Sequence, residues 1–218
     1  MKKLISIVIP FYNEEENIKE VHKQLSEIFK QEKKYNFELI AVEHGSTDKT
    51  FEKLINLRKK DIRVKILQLS KNFGNADAGI VAGLHYSSGD AQIITSADLQ
   101  DPPEMIPKFL RKWEEGYEIV YGIIKKRADT SFSRKIMSQL FYKILNLSTG
   151  NLFPENVSDF RLIDRGVTEA VKSMPERNKF LRGVIIWSGF LQTGIPYNRA
   201  KRFAGESKAD FLTVFKVA

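Results

Sequence analysis

Five short β-prone runs alternate with amphipathic helical patterns over residues 1–122, and this alternation restricts the possible folds more than any other property of the chain. The runs lie at 4–9, 37–42, 64–69, 91–95 and 118–121. Between the first two, Ile18, Val21, Leu25, Ile28 and Phe29 recur on one face of a 3.6-residue repeat, which predicts a helix that Asn13 or a neighbour caps. Another helix is predicted to open at Gly74 and to carry Ala78, Val81, Ala82 and Leu84 before residues 87–90 stop it. Strands joined through helices of this length build right-handed βαβ units, so an α/β fold with a mostly parallel sheet flanked by helices is expected.

The 42 % hydrophobic content of the 218 residues is enough for one core, and a single domain over 1–218 is predicted. The apolar run at 4–9 ends in Pro10 and is followed by Asn13, Glu14, Glu15 and Glu16, which fits a first strand and not a leader segment. No run reaches the roughly 18 apolar residues of a membrane span. Cysteine is absent, which excludes disulfides and thiolate metal sites and suits a reducing compartment. His22, His44 and His85 are too scattered to suggest a zinc site.

The net charge of +8 is concentrated late in the chain: residues 123–143 contribute +5 and residues 199–218 contribute +3. Anionic partners should therefore meet the C-terminal half. There the strand-helix alternation stops. Residues 131–147 place Phe132, Ile136, Met137, Leu140, Phe141 and Ile144 on one side of a basic amphipathic helix, a polar loop at 148–158 follows, and a further helix is predicted at 165–174.

Chemistry-bearing residues gather where the early strands end. Tyr12 and Glu14 follow the first strand, where an aromatic ring can stack on a nucleobase and an acid can accept from a base or ribose; they equally suit an ordinary helix N-terminus. After the second strand, Gly45 permits a turn and Ser46 or Thr47 is expected to cap the next helix, with Asp48 in its first turn. His44 either faces a ligand or simply finishes that strand. Asp98, with Gln100 and Ser96, offers the oxygens that Mg²⁺ or Mn²⁺ prefers when bridging a diphosphate, while Asp101 is expected to cap the helix opened by Pro102 and Pro103. Asp159, read as part of a polar loop, can serve as a general base or as a structural aspartate. The basic stretch 199–208 carries a flexible Gly205 and suits closure over phosphates, or else is a solvated charge run.

Taken together, residues 6–15, 45–48, 72–74, 97–104, 158–162 and 202–208 resemble the family 2 glycosyltransferases, and within them the dolichyl- and undecaprenyl-phosphate glycosyltransferases. The resemblance implies a GT-A fold whose 1–122 half binds the nucleotide sugar and whose 123–218 half faces the acceptor and membrane. It implies inverting, metal-dependent transfer of a hexose or N-acetylhexosamine, UDP-linked by expectation, to polyprenyl phosphate for a cell-envelope glycan. A glycan or protein hydroxyl acceptor and a non-catalytic nucleotide-binding scaffold are the competing readings. By position, Pro10, Tyr12, Glu14 and His44 would line the nucleoside pocket, and Ser96 and Ala97 would border the donor. Asp98 and Gln100 would hold Mg²⁺ or Mn²⁺, Asp159 would be the candidate base, and Arg202 and Lys208 would grip phosphate.

Three positions depart from the family pattern. His44 stands where Asp usually precedes the Gly-Ser-Thr-Asp run, Ser96 where the acidic metal motif usually begins with Asp, and Ile124 where relatives often carry Arg. Such enzymes usually continue into transmembrane helices, so the chain is expected to be the front portion of a protein anchored at the cytoplasmic face of a membrane. The 131–147 helix, Phe211, Leu212, Val214 and Phe215 would then lie against the bilayer, with self-association left open and no nucleic acid involved.

Overall fold

The computed structural model describes residues 1–127, 156–176 and 180–205. Seven strands form one sheet: β1 (Leu4–Phe11), β2 (Asn36–Glu43), β3 (Val64–Gln68), β4 (Ala91–Ile94), β5 (Ile119–Arg127), β6 (Val157–Asp164) and β7 (Gln192–Arg199). The helices between them are α1 (Ile18–Gln31), α2 (Thr50–Lys60), α3 (Ala76–Tyr86), α4 (Ile106–Glu114), α5 (Arg165–Ser173) and α6 (Leu181–Trp187). A 3₁₀ turn at Pro103–Met105 leads into α4.

The spatial order is β3-β2-β1-β4-β6-β5-β7. β1 pairs in parallel with β2 and β4, and β2 with β3, while β6 runs antiparallel to both β4 and β5. From β1 the chain moves outward to β2 and β3, then crosses back through α3 to β4 on the other side. That reversal makes the C-terminal ends of β1 and β4 a topological switch point, the place where open α/β sheets take ligands.

Burial on both faces explains why these strands read as nearly unbroken apolar runs. Ile5, Ile7 and Ile9 point to the face covered by α1 and α4, where Leu25, Phe29, Phe109 and Leu110 meet them; Val8, Ile40 and Val42 point to the other face, against Ile80 and Leu84 of α3. Phe109 and Phe160 are fully buried with ring centroids 4.7 Å apart. Each such side chain contributes about 1.5–3 kcal/mol by leaving water.

The expected strands and first helix are present, and the later half holds more sheet than the sequence suggested. Asp159 lies in strand β6, not in a polar loop. Helix α3 starts at Ala76, two residues after Gly74, because the Asn75 side chain accepts from Ala78 N–H and fixes the start there. The stretch 131–147, Lys208 and the apolar residues near the C-terminus fall outside the described residues. Among the described residues, no helix is long and apolar enough to cross a membrane.

Candidate active site

Two loops are stitched together where β1 and β2 end. Asn13, with φ 52°, donates its N–H to Ser46 Oγ (3.0 Å), and its side-chain oxygen accepts from Thr47 N–H (2.7 Å). Glu14 N–H donates to Thr50 Oγ1 (2.9 Å), and Glu15 N–H to Asp48 Oδ2 (3.3 Å). Ser46 and Thr47 thus bond to the neighbouring loop and neither caps α2, whose N-cap is Lys49 without a side-chain bond; Asp48 Oδ1 instead accepts from Thr50 N–H (2.9 Å) at the start of that helix. Asn13 does not cap α1 either; Asn17 holds that position, also without a side-chain cap bond. The N–H groups of Asn13, Glu14 and Glu15, ahead of α1, are satisfied across the loop.

His44 is 3 % exposed. Its Nε2 accepts from Phe73 N–H (3.3 Å), and its ring stacks beneath Phe73 with centroids 6.1 Å apart. Burial pushes the imidazole below its usual pKa against the opposing charge of Glu43, so the ring is neutral with Nε2 as the acceptor. His44 thus supports the loop before α3. Gly45, at φ +72°, lies so close to that loop that a Cβ would fall 2.5 Å from Asn72 N.

Beyond β4 the backbone doubles back at Leu99, which takes φ 57° and turns its side chain into the core. A left-handed turn at such a residue costs about 1–2 kcal/mol. It is offset by the buried Leu99 side chain and by two bonds to Asp98 Oδ1, from Ser96 Oγ (2.6 Å) and Gln100 N–H (3.1 Å). Asp98 Oδ2 faces Arg202 Nη1 at 3.6 Å. The segment after β7 returns over this loop, with Ala200 N–H bonded to Gln100 O (2.9 Å) and Phe203 N–H to Asp98 O (3.1 Å). Arg202 also pairs with Glu14, and Asn17 Nδ2 contacts both Glu14 and Ala204 O. One guanidinium therefore joins the exits of β1 and β4.

Asp101 is buried beneath this loop and does not cap the following turn, whose N-cap is Pro102. It accepts from the Tyr197 hydroxyl and lies 3.4 Å from Arg199 Nε. Burial pushes its carboxyl up more than Arg199 and Tyr197 pull it down. Burial, reinforced by Asp101, also raises the Tyr197 phenol.

Antiparallel pairing brings Asp159 to the same edge. Ile94 pairs with Arg161, so Asp159, two residues earlier in β6, lies beside the chain leaving β4. Arg182 of α6 grips its carboxylate through Nε (2.9 Å) and Nη2 (2.7 Å), and the buried Arg161 approaches to 3.6 Å. Crowding by the protein would raise this carboxyl, but Arg182, Arg161 and Arg199 outweigh it and hold the pKa at about 2. A group so acidic stays ionised near neutral pH and is a poor proton acceptor.

Glu14, Asp98, Gln100 and Arg202 thus meet at one edge, with Tyr12 and Pro10 on the β1 exit, Ser96 and Ala97 beside Asp98, and Asp159 across β6. Among the described residues, no group of three or more histidine or acidic side chains is placed to hold a metal ion. Asp98 and the Gln100 amide supply hard oxygens of the type a divalent ion takes when substrate phosphates complete its shell, so the residues fit Mg²⁺ or Mn²⁺. Arg182 was not legible as a site residue; its signal was an isolated charge within the apolar stretch 180–195.

Residues 6–172 match the Glycosyl transferase family 2 model. The chain belongs to glycosyltransferase family 2. It is 43 % identical over 213 residues to an uncharacterized glycosyltransferase, YkcC, of Bacillus subtilis, covering 98 % of this chain and 65 % of that protein. It is 40 % identical over 218 residues to a prophage bactoprenol glucosyl transferase homolog of Escherichia coli, covering 98 % of this chain and 69 % of that protein. The chain thus spans about two thirds of these relatives. Among solved structures, glucosyl-3-phosphoglycerate synthase from Mycobacterium tuberculosis in complex with Mn²⁺, UDP and glucosyl-3-phosphoglycerate aligns with a TM-score of 0.64 at 20 % identity, over 93 % of this chain and 73 % of that one. That likeness establishes the GT-A glycosyltransferase fold for this family 2 member.

Proposed function

We propose that this family 2 glycosyltransferase moves a hexose or N-acetylhexosamine from a UDP-linked donor to polyprenyl phosphate, inverting the anomeric centre. The observation that carries the reading is the convergence of Glu14, Asp98 and Arg202 beyond β1 and β4, with an ionised Asp159 on the neighbouring strand. Relatives named as bactoprenol glucosyl transferases, matched over nearly the whole chain, support the acceptor class.

In this reading Tyr12, Pro10 and Glu14 bound the nucleoside pocket, and His44 supports it from below. Asp98 and Gln100 would hold Mg²⁺ or Mn²⁺, which would offset charge developing on the departing diphosphate. Arg202 is poised to exchange carboxylate for donor phosphate. The acceptor phosphate is already ionised, so attack on the anomeric carbon requires no proton removal. An Asp159 held at about pKa 2 suits orientation of the acceptor better than abstraction from a hydroxyl, which weighs against glycan or protein hydroxyl acceptors.

The test is turnover of radiolabelled UDP-glucose and UDP-N-acetylglucosamine with undecaprenyl phosphate in detergent, with Mn²⁺ or with EDTA. A lipid-extractable product formed only with metal is expected, and Asp98→Ala should abolish it. Full turnover in EDTA overturns the metal role. Product on free glycans but none on the lipid overturns the acceptor, and absence of any nucleotide binding favours the scaffold reading.

A further inference from the structure

We propose that Arg182 is the positioning residue for Asp159: its two-pronged grip from α6 fixes the orientation of the Asp159 carboxylate beside the loop that follows β4. The inference rests on the placement of Asp159 at the reaction centre given above. Both guanidinium contacts are direct, from Nε at 2.9 Å and Nη2 at 2.7 Å, a geometry that sets the plane of the carboxylate as well as its place. The grip has a rigid base. Leu181 and Ile185, on either side of Arg182 in α6, are buried in the core with Ile80, Leu84, Val167 and Val171. Leu181 N–H donates to Asp77 Oδ2 (3.1 Å) in the first turn of α3.

The charged side chains that act on Asp159 include Arg182 from α6, Arg161 from its own strand, Arg199 from β7, Asp77 from α3 and the buried Asp101 of the loop after β4. Of these, Arg182 has the shortest contacts and the largest charge effect on Asp159. The Asp159 side chain still keeps 57 % of its surface open, so it is oriented without being shut away from an incoming substrate. A purely structural ion pair gains little from leaving one partner this accessible.

Arg182→Ala and Arg182→Lys test the assignment, the lysine variant keeping the charge while losing the fork. In chain labelled with ¹³C at aspartate side-chain carboxyls, the Asp159 resonance is identified by its loss in Asp159→Asn and followed as pH falls. The unaltered chain should show no inflection down to about pH 3, whereas Arg182→Ala should titrate at least one unit higher than the unaltered chain, with Arg182→Lys between. In turnover assays, kcat should fall at least tenfold in Arg182→Ala with the donor KM within twofold, and Arg182→Lys should recover part of it. An Asp159 titration unchanged in Arg182→Ala, or an unaltered kcat in a variant that folds, overturns the assignment. If Arg182→Ala does not fold, a kcat for Arg182→Lys equal to that of the unaltered chain overturns it. If Asp159→Asn itself keeps full kcat, the reading of the reaction centre fails, and the resonance titration still decides whether Arg182 holds Asp159.

Discussion

Replacing Gly45 with alanine isolates the close approach between the loop after β2 and the loop before α3. Gly45 has φ +72°, and a Cβ placed on it would lie 2.5 Å from Asn72 N and 2.6 Å from Lys71 C, both backbone atoms of the loop before α3. Two penalties therefore add. The left-handed backbone costs an L-residue about 1–2 kcal/mol. Displacing the Lys71–Asn72 backbone adds roughly 1–3 kcal/mol, the usual range for forcing extra volume into a packed site. Gly74 supplies the control, because it has φ +85° but a Cβ added there would meet nothing within 4 Å, and so it carries only the first penalty. Urea unfolding should show Gly45→Ala destabilised by about 2–5 kcal/mol and Gly74→Ala by about 1–2 kcal/mol. UDP affinity, read by thermal shift, should fall further in Gly45→Ala, because the displaced loop also carries Phe73 on His44. Equal destabilisation of the two variants would refute the steric argument.

Other consequences are open to direct measurement. Burial raises the Glu114 carboxyl, but Lys34, Tyr35 and Arg111 outweigh it and hold it at about 2 instead of 4.5. Its stabilisation is therefore complete above about pH 4.5 and is lost as pH falls toward 2, so Glu114→Gln should lessen the drop in urea midpoint between neutral pH and about pH 3. The effect should be near 1 kcal/mol, since Lys34 and Arg111 are about half exposed and solvent screens them. Arg202→Ala leaves the largely buried Glu14 and Asp98 carboxylates without their shared cation and should cost about 1–3 kcal/mol. It should also weaken UDP binding at least tenfold by calorimetry; unchanged affinity would mean that Arg202 only anchors the returning segment.

The parts of the fold that repeat locally were legible in the sequence. The period of α1 exposes its buried stripe residue by residue, and the apolar runs of β1 to β4 announce strands covered on both sides. The loops holding Tyr12, Glu14, Asp98 and Gln100 could likewise be assigned to strand exits, because each directly follows its strand. Strand β6 was not legible, since Ser158, Asp159 and Arg161 break the apolar pattern, and only the finished fold supplies partners for an arginine that is 2 % exposed. The capping roles expected of Ser46, Thr47 and Asp101 failed for a related reason: local spacing counts nearby partners but not the Asn13 N–H, the Asn13 side-chain oxygen and the Tyr197 hydroxyl, which engage these residues from elsewhere in the chain.

The sequence by itself determined the α/β class, the strand exits that carry the chemistry and the family, because these depend on short-range periodicity and on motifs read in order. Tertiary structure alone decided which charges meet. Arg202 reaches Glu14 across 188 residues, Tyr197 reaches Asp101 across 96, and Arg182 reaches Asp159 across 23. Such pairings follow from strand order and from the register of β6 against β4, where a one-residue slip would turn every side chain to the opposite face. An alternating pattern gives the two faces of a strand but not its neighbour.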